Sequence, residues 1–250
     1  MTEASRTPWP LPRWIAHRGA GKLAPENTLA AFRLGAAHGY RAFECDVKLS
    51  ADGVPFLLHD ATLERTTPAR GTAGDRPWAE LSCLDAGGWH SRAYAGEPPP
   101  SLAAVAAYVQ RNGFALNIEI KPTPGHDLAT GRAVGAWCAA QWPAGGSPLL
   151  FSSFKPEALQ GTLETAPAAP RALLLDTLWN GWEAIAAQLG CIGVVTNHRL
   201  FDAALAGRLR ALGLHGACYT VNDAAEAQRL LRLGVASIIT DAVDALSPTA

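Results

Sequence analysis

The stretch Ala42–His59, AFECDVKLSADGVPFLLH, decides the fold. Its first half alternates with the period of a strand: Phe43, Cys45 and Val47 share one face, Glu44 and Asp46 the other. Asp52-Gly53 then separates it from a second apolar run, Pro55–His59. An Asp-Gly pair between two apolar runs predicts a two-residue hairpin, so Pro55–His59 is expected to fold back antiparallel on Ala42–Val47.

This hairpin matters because the chain holds nine strand-like runs. Outward from the quoted stretch they are Trp14–His17 before it, and Phe114–Ile120, Leu149–Ser152, Ala172–Leu175, Ile192–Thr196, Gly216–Val221 and Ala236–Thr240 after it. With Pro55–His59 set aside as a returning arm, eight parallel strands remain. Between most of them lie stretches with helical spacing: Leu29–His38, Leu102–Asn112, Ala129–Gln141, Ala203–Leu212 and Ala224–Leu233. Gly39, Gly113, Gly213 and Gly234 follow four of these as helix stops. Alternating strands and helices imply a parallel sheet covered by helices, and eight strands imply an α/β fold of the TIM (β/α)8 barrel type. Residues from about 61 to 100 break the rhythm with Trp78, Gly87-Gly88, Trp89 and Pro98-Pro99-Pro100. They read as an insertion after the His59 strand, a small lid or side wall of the site. The whole chain, 1–250, is expected to be one domain.

Composition narrows the function. The 250 residues are 48% apolar and 17% charged, with a formal net charge of −1, which argues against nucleic acid as a partner. The five cysteines (Cys45, Cys83, Cys138, Cys191, Cys218) are scattered and odd in number, as expected of reduced thiols in a reducing compartment. The first twelve residues hold three prolines and no apolar run, unlike a signal peptide, and no run of apolar residues is long enough to span a membrane. A cytoplasmic location is expected.

Chemistry in such a barrel collects where the strands end. Here those ends read His17-Arg18-Gly19, Glu44-Cys45-Asp46, Glu119-Ile120-Lys121, Ser152-Ser153, Thr196-Asn197, Thr220-Val221-Asn222 and Thr240-Asp241. Glu44 and Asp46, about 7 Å apart by strand rise, would repel each other inside a barrel mouth. A hard divalent cation with oxygen ligands, Mg²⁺ or Ca²⁺, resolves the conflict. Solvated surface acids are the plainer alternative, but the flanking residues are too apolar for an exposed strand. Asn117, Glu119 and Lys121 repeat the pattern, with Glu119 as third carboxylate. Lys121 either pairs with Glu119 or contacts phosphate. Arg18 offers a planar fork for phosphate oxygens, and Gly19 permits a sharp turn and close approach of a ligand. With Asp52-Gly53 as a two-residue turn, Asp46 faces His59 across the hairpin; the alternative is a histidine merely held by Asp60 in a turn. Three carboxylates, one divalent cation, Arg18 and Lys121 leave one positive charge, the complement of a phosphodiester.

These residues resemble the glycerophosphodiester phosphodiesterase family. The likeness runs through His17-Arg18-Gly19-Ala20, Pro25-Glu26-Asn27-Thr28, Glu44-x-Asp46-Val47, Asp52-Gly53-x-Pro55, and His59-Asp60-x-Thr62-Leu63-x-Arg65-Thr66-Thr67 with Gly71. It continues through Asn117-Ile118-Glu119-Ile120-Lys121, Phe151-Ser152-Ser153-Phe154, Thr220-Val221-Asn222 and Gly234-Val235 to Thr240-Asp241, nearly the whole chain. The resemblance implies a TIM barrel of the phospholipase-C-like phosphodiesterase type, of the cytoplasmic bacterial branch. It makes Glu44, Asp46 and Glu119 ligands of one divalent cation, Arg18 and Lys121 phosphate contacts, and His17 and His59 an acid–base pair. The implied reaction is metal-dependent hydrolysis of small glycerophosphodiesters to sn-glycerol 3-phosphate and an alcohol. Tyr219, where the family often has tryptophan, and Ala242, where proline is common, depart from the pattern at the rim and bear on the choice of alcohol. A lysophospholipase-D-like activity is the nearest alternative, with Trp78, Trp89 and Tyr94 either lining a longer groove or simply packing. A catalytically dead phosphate-ester-binding barrel, or an isomerase using Lys121, is disfavoured by the five acid and histidine residues. Trp179-Asn180-Gly181-Trp182 either walls the alcohol pocket or packs a helix.

Overall fold

A computed structural model describes residues 7–246 and 248. Residues 1–6, part of the stretch read above as no signal peptide, lie outside the described residues. The strands are β1 (Trp14–Ala16), β2 (Ala42–Leu49), β3 (Pro55–Leu57), β4 (Ala115–Ile120), β5 (Leu149–Ser153), β6 (Arg171–Leu175), β7 (Gly193–Asn197), β8 (His215–Tyr219) and β9 (Ser237–Thr240). All but β3 pair in parallel, and the ring closes between β1 and β2. This is the expected eight-stranded barrel. Helices α1 (Leu29–Ala37), α3 (Leu102–Asn112), α4 (Asp127–Gln141), α5 (Pro156–Thr165), α6 (Trp182–Gln188), α7 (Ala203–Ala211) and α8 (Ala224–Arg232) cover it, and a single-turn α2 (Trp78–Leu81) lies in the 61–100 segment. Gly39, Gly113, Gly213 and Gly234 all have positive φ, as their place beyond a helix requires.

Strand alternation sorts the side chains. Phe43, Cys45, Val47, Leu116, Ile118 and Phe151 join the core between barrel and helices. Ile15, Ala42, Ala115, Leu150, Leu174 and Ile239 form a separate cluster inside the barrel. Two residues further along β2 and β4 the interior turns polar, at Glu44 and Asn117, and then at Asp46 and Glu119. The apolar layer is thus a floor beneath a charged mouth.

The returning arm is present, but its turn is not the expected one. A two-residue turn of the type favoured by Asp-Gly needs positive φ at both positions. Gly53 has φ +81, whereas Asp52 does not enter that region. Asp52 Oδ1 instead accepts from Ser50 Oγ (2.6 Å) and from the backbone N–H of Trp78 (2.8 Å). The loop therefore takes three residues, closed by Ser50 N–H to the Val54 carbonyl at 3.1 Å. The register shifts by one, with Val47 opposite Leu57, so Asp46 faces Leu58 rather than His59. β3 pairs only with Val47–Leu49, the upper edge of β2 that short β1 leaves free.

The 61–100 segment has a small core of its own. Phe56, Leu58, Leu63, Ala73 and Leu81 are buried together, with Trp78 packed on Phe56. Trp78 thus takes the packing role of the two open to it. Trp182 is likewise buried at the start of α6 with the Arg208 guanidinium over its ring, so this half of the Trp179–Trp182 segment packs a helix.

Candidate active site

Parallel pairing sets Asp46 level with Glu119 and Glu44 level with Asn117. One carboxylate oxygen from each of Glu44, Asp46 and Glu119 lies within 4.8 Å of the others, all buried. His17, Arg18, Glu44, His59, Glu119 and Lys121 line one depression at this end of the barrel, so the structure gathers all seven expected residues, Asp46 included.

His59 reaches the site despite the register shift because β3 has already ended at Leu57. Its ring Nδ1 lies 2.6 Å from Asp60 Oδ1. The contact with Asp60 does not compete with a place in the site, since it leaves Nε2 free to face inward. Arg65 in turn holds Asp60 through Nε at 2.6 Å and Glu26 through Nη1 at 2.7 Å. Burial lowers the His59 pKa from its ordinary value, and Arg18 and Lys121 push the same way, against the charges of Asp46 and Asp60. Asp60 is held down to about 2 by its hydrogen bond from Arg65.

His17 is held in the same manner from a remote part of the chain. Its Nδ1 lies 2.6 Å from Asp241 Oδ1, just past β9, and its Nε2 lies 3.8 Å from Glu44 Oε2. Asn222 donates to Asp241 Oδ2 at 3.2 Å. Ala242 N–H donates to Thr240 Oγ1 at 3.0 Å, a bond that proline at this position would lack.

Arg18 sits at φ +50, unusual for a residue with a side chain. Its neighbours hold it there. Its backbone N–H donates to Glu44 Oε2 (3.1 Å), its Nη1 donates to Glu26 Oε1 (2.9 Å), and its Nε lies 3.1 Å from Asp46 Oδ2. Asn27, also left-handed at φ +59, donates to Asp46 Oδ2 and accepts from the Asp46 backbone N–H. Thr28 caps α1. Gly19 makes the sharp turn at φ +99, and helix α1 packs closely against it. A Cβ there would stand 2.8 Å from Phe32 N, and one on Gly35 would stand 2.1 Å from the Gly19 carbonyl.

The acids are electrostatically unequal. Burial pushes Asp46 up, but Arg18, Lys121, His59 and Asn27 together outweigh it and hold it at about 2. Burial, and then the negative charge of Asp46, push Glu119 up to about 7 even with Lys121 Nζ at 2.5 Å. Glu44 rises well above the ordinary range for the same reasons. Glu44 Oε1, Asp46 Oδ1 and Glu119 Oε1 are buried without a well-formed hydrogen bond. Converging buried carboxylate oxygens, that of Glu119 paired with Lys121 Nζ and Glu44 Oε1 without a hydrogen bond, fit a hard divalent cation, which would offset their mutual repulsion.

Lys121 both pairs with Glu119 and lies in the site, its Nζ 5.0 Å from the Phe154 ring centroid. Tyr219 packs edge-on against Phe154 and lines the same depression as the acids, so this departure from the family pattern touches the site itself. The sequence reading weighed Asp60 only as an alternative to a site role for His59 and placed Asp241 only at a strand end. It gave no separate role to Asn27, Glu26 or Arg65, which hold Asp46, Arg18 and Asp60. It also missed Lys48, whose parity with Glu44 and Asp46 was the available signal. Lys48 is buried, with its Nζ donating to the carbonyls of His59 (3.3 Å) and Lys121 (3.0 Å), and burial lowers its pKa to about 8. Its charge adds to the site's positive side.

Comparison with known proteins agrees with this geometry. A model of the glycerophosphoryl diester phosphodiesterase family matches residues 17–245. A glycerophosphodiester phosphodiesterase of Caldanaerobacter subterraneus is 30% identical over 232 residues, covering 91% of this chain and 93% of its own. A phosphodiesterase of Oleispira antarctica, solved in complex with the product sn-glycerol 3-phosphate, superposes with a TM-score of 0.88 at 35% identity, covering 93% of this chain and 94% of its own. A glycerophosphodiester phosphodiesterase of Agrobacterium tumefaciens superposes with a TM-score of 0.73 at 28% identity, covering 94% and 98%. A barrel with this acid cluster, matched by the family's sequence pattern over most of its length, belongs to the glycerophosphoryl diester phosphodiesterase family.

Proposed function

We propose that this protein hydrolyses glycerophosphodiesters to sn-glycerol 3-phosphate and an alcohol. One observation carries the reading: two histidines, each with Nδ1 held by a carboxylate, share one depression with three converging buried acids. The product bound to the Oleispira neighbour supports the same product here.

A carboxylate on Nδ1 fixes the tautomer and aims Nε2 at the substrate, as a general acid or base requires. Arg18 and Lys121 bind the phosphoryl oxygens, after exchanging part of their pairing with Glu26, Asp46 and Glu119. A divalent cation, Mg²⁺ or Ca²⁺, held by Glu44, Asp46 and Glu119, supplies further positive charge against those oxygens. The 2-hydroxyl of the glycerol arm lies next to the phosphorus. One histidine takes its proton as the oxygen attacks, the P–O bond to the alcohol breaks, and the other histidine protonates the departing oxygen. Water then opens the cyclic phosphate, with the two histidines in exchanged roles. The cytoplasm is assigned as the location, supported by five unpaired cysteines, four of them buried; among the described residues no helix is long and apolar enough to cross a membrane.

The test is release of sn-glycerol 3-phosphate from glycerophosphoglycerol and glycerophosphocholine, read by a coupled dehydrogenase, before and after EDTA, with Mg²⁺ and Ca²⁺ added back separately. Turnover abolished by EDTA and restored by one cation supports the reading. Well-folded protein inactive with either cation overturns it. A substrate lacking the 2-hydroxyl but cleaved at the normal rate would replace the cyclic route with direct attack by water.

A further inference from the structure

The depression holding the acids, about 220 Å³, is one of two that meet at His17 and Arg18. The second, about 230 Å³, is walled by Lys22, Glu26, Trp89, His90 and Asp241. A phosphodiester has two organic arms on one phosphorus. Two lobes joined at an acid–base histidine and a phosphate-binding arginine match that shape, with phosphorus at the junction.

We propose that the Trp89 lobe receives the leaving alcohol and selects a neutral, hydroxyl-rich alcohol over a cationic one. This rests on the phosphodiesterase reading above and names the substrate class within it.

The wall is built rather than incidental. Trp89 Nε1 donates to the Ala86 carbonyl at 2.8 Å, and His90 stands edge-on to the indole at 87°. The indole N–H is thereby satisfied while the side chain stays 43% exposed. His90 Nε2 lies 3.0 Å from the Lys22 carbonyl, which ties this wall of the 61–100 segment to the loop after Arg18. A carbonyl only accepts, so Nε2 carries a proton, and Nδ1 makes no hydrogen bond among the described residues.

Charge decides the class of alcohol. Both acids of the lobe are already committed. Arg65 donates to both oxygens of Glu26, Nη2 to Oε1 and Nη1 to Oε2, so Glu26 stays paired even where Arg18 turns from it to the phosphate. Asp241 is engaged by His17 on one oxygen and Asn222 on the other. A cationic alcohol finds no free carboxylate there. It meets instead the exposed ammonium of Lys22, which has no ion pair among the described residues. An indole face attracts cations, but weakly at an exposed position, and repulsion by Lys22 offsets that attraction. A polyol suffers no such repulsion. Its C–H face stacks on Trp89, and its hydroxyls accept from Lys22.

The experiment compares kcat/KM for glycerophosphoinositol, glycerophosphoglycerol, glycerophosphocholine and glycerophosphoethanolamine in the wild type, K22E and W89A. The wild type is expected to favour the two polyol substrates by about tenfold, the ratio that one good polar contact produces. K22E should reverse that order. W89A should raise KM for the polyols with little change in kcat, the mark of lost uniform binding. A wild-type preference for the cationic substrates, or ratios that stay within about twofold in both variants, overturns the lobe assignment while the phosphodiesterase reading stands. A wild type that cleaves none of the four overturns both.

Discussion

Asp241 Oδ1 lies 2.6 Å from His17 Nδ1, joining residues 224 positions apart in sequence. β1 and β9 are neighbours in the barrel, with Ala16 beside Thr240, so the residue following each strand arrives at the same place. The pair therefore depends on closure of the ring. In D241N the amide can present its oxygen or its nitrogen to Nδ1, and the fixed tautomer is lost. A fall of about 10²-fold or more in kcat is expected with the fold intact, read by steady-state kinetics beside circular dichroism.

His59 should lose its proton below the ordinary histidine value of 6.5, because burial disfavours the imidazolium. An NMR titration of the ring measures this directly. Asp60 acts in the opposite direction by stabilising the proton, so D60N should move the midpoint lower still. A midpoint that rises in D60N would contradict the assigned contact.

The acid cluster ties stability to pH. Glu119 titrates at about 7 in the folded chain against an ordinary 4.5, so the folded state holds the extra proton between these values. A raised carboxyl pKa means stability is greatest below the ordinary value and is lost as pH rises through the folded one. In EDTA, Tm should therefore fall between pH about 4.5 and about 7 through this group. Saturating Mg²⁺ or Ca²⁺ should flatten the decline, since a cation favours the ionised acids. Asp46, held at about 2, contributes its own loss only at lower pH. Glu119→Ala should remove the Glu119 contribution and weaken cation binding, with partial rescue by excess cation.

Lys48 fixes the main chain at both His59 and Lys121. Replacing it with methionine keeps most of the volume but leaves two carbonyls without their donor, at a cost of about 1–3 kcal/mol each where no water replaces it. K48M should lower Tm and reduce kcat more than it raises KM, because the groups displaced act on the reacting bonds. K48R, which can still donate, should recover part of kcat. Equal losses in K48M and K48R would make Lys48 a matter of packing alone.

Much of this was written locally in the chain. The period of two in Ala42–Val47 and Phe114–Ile120 placed the three acids on interior faces, because neighbouring side chains of a strand must point oppositely. Glycines after helices marked their ends, since only glycine takes a left-handed φ without a steric cost. The hairpin was legible but its register was not. Asp-Gly serves more than one turn, and the choice fell to bonds that Asp52 makes to Ser50 and to distant Trp78. His59 still entered the site because it lies beyond the paired strand, a fact no register argument contains. Tertiary structure alone decided what stands behind each functional group: Asp241 behind His17, Asn27 behind Asp46, Lys48 beneath His59 and Lys121. The physical reason is that a barrel brings together residues from remote strands by closing on itself, and the low-dielectric interior then makes each of those polar contacts count.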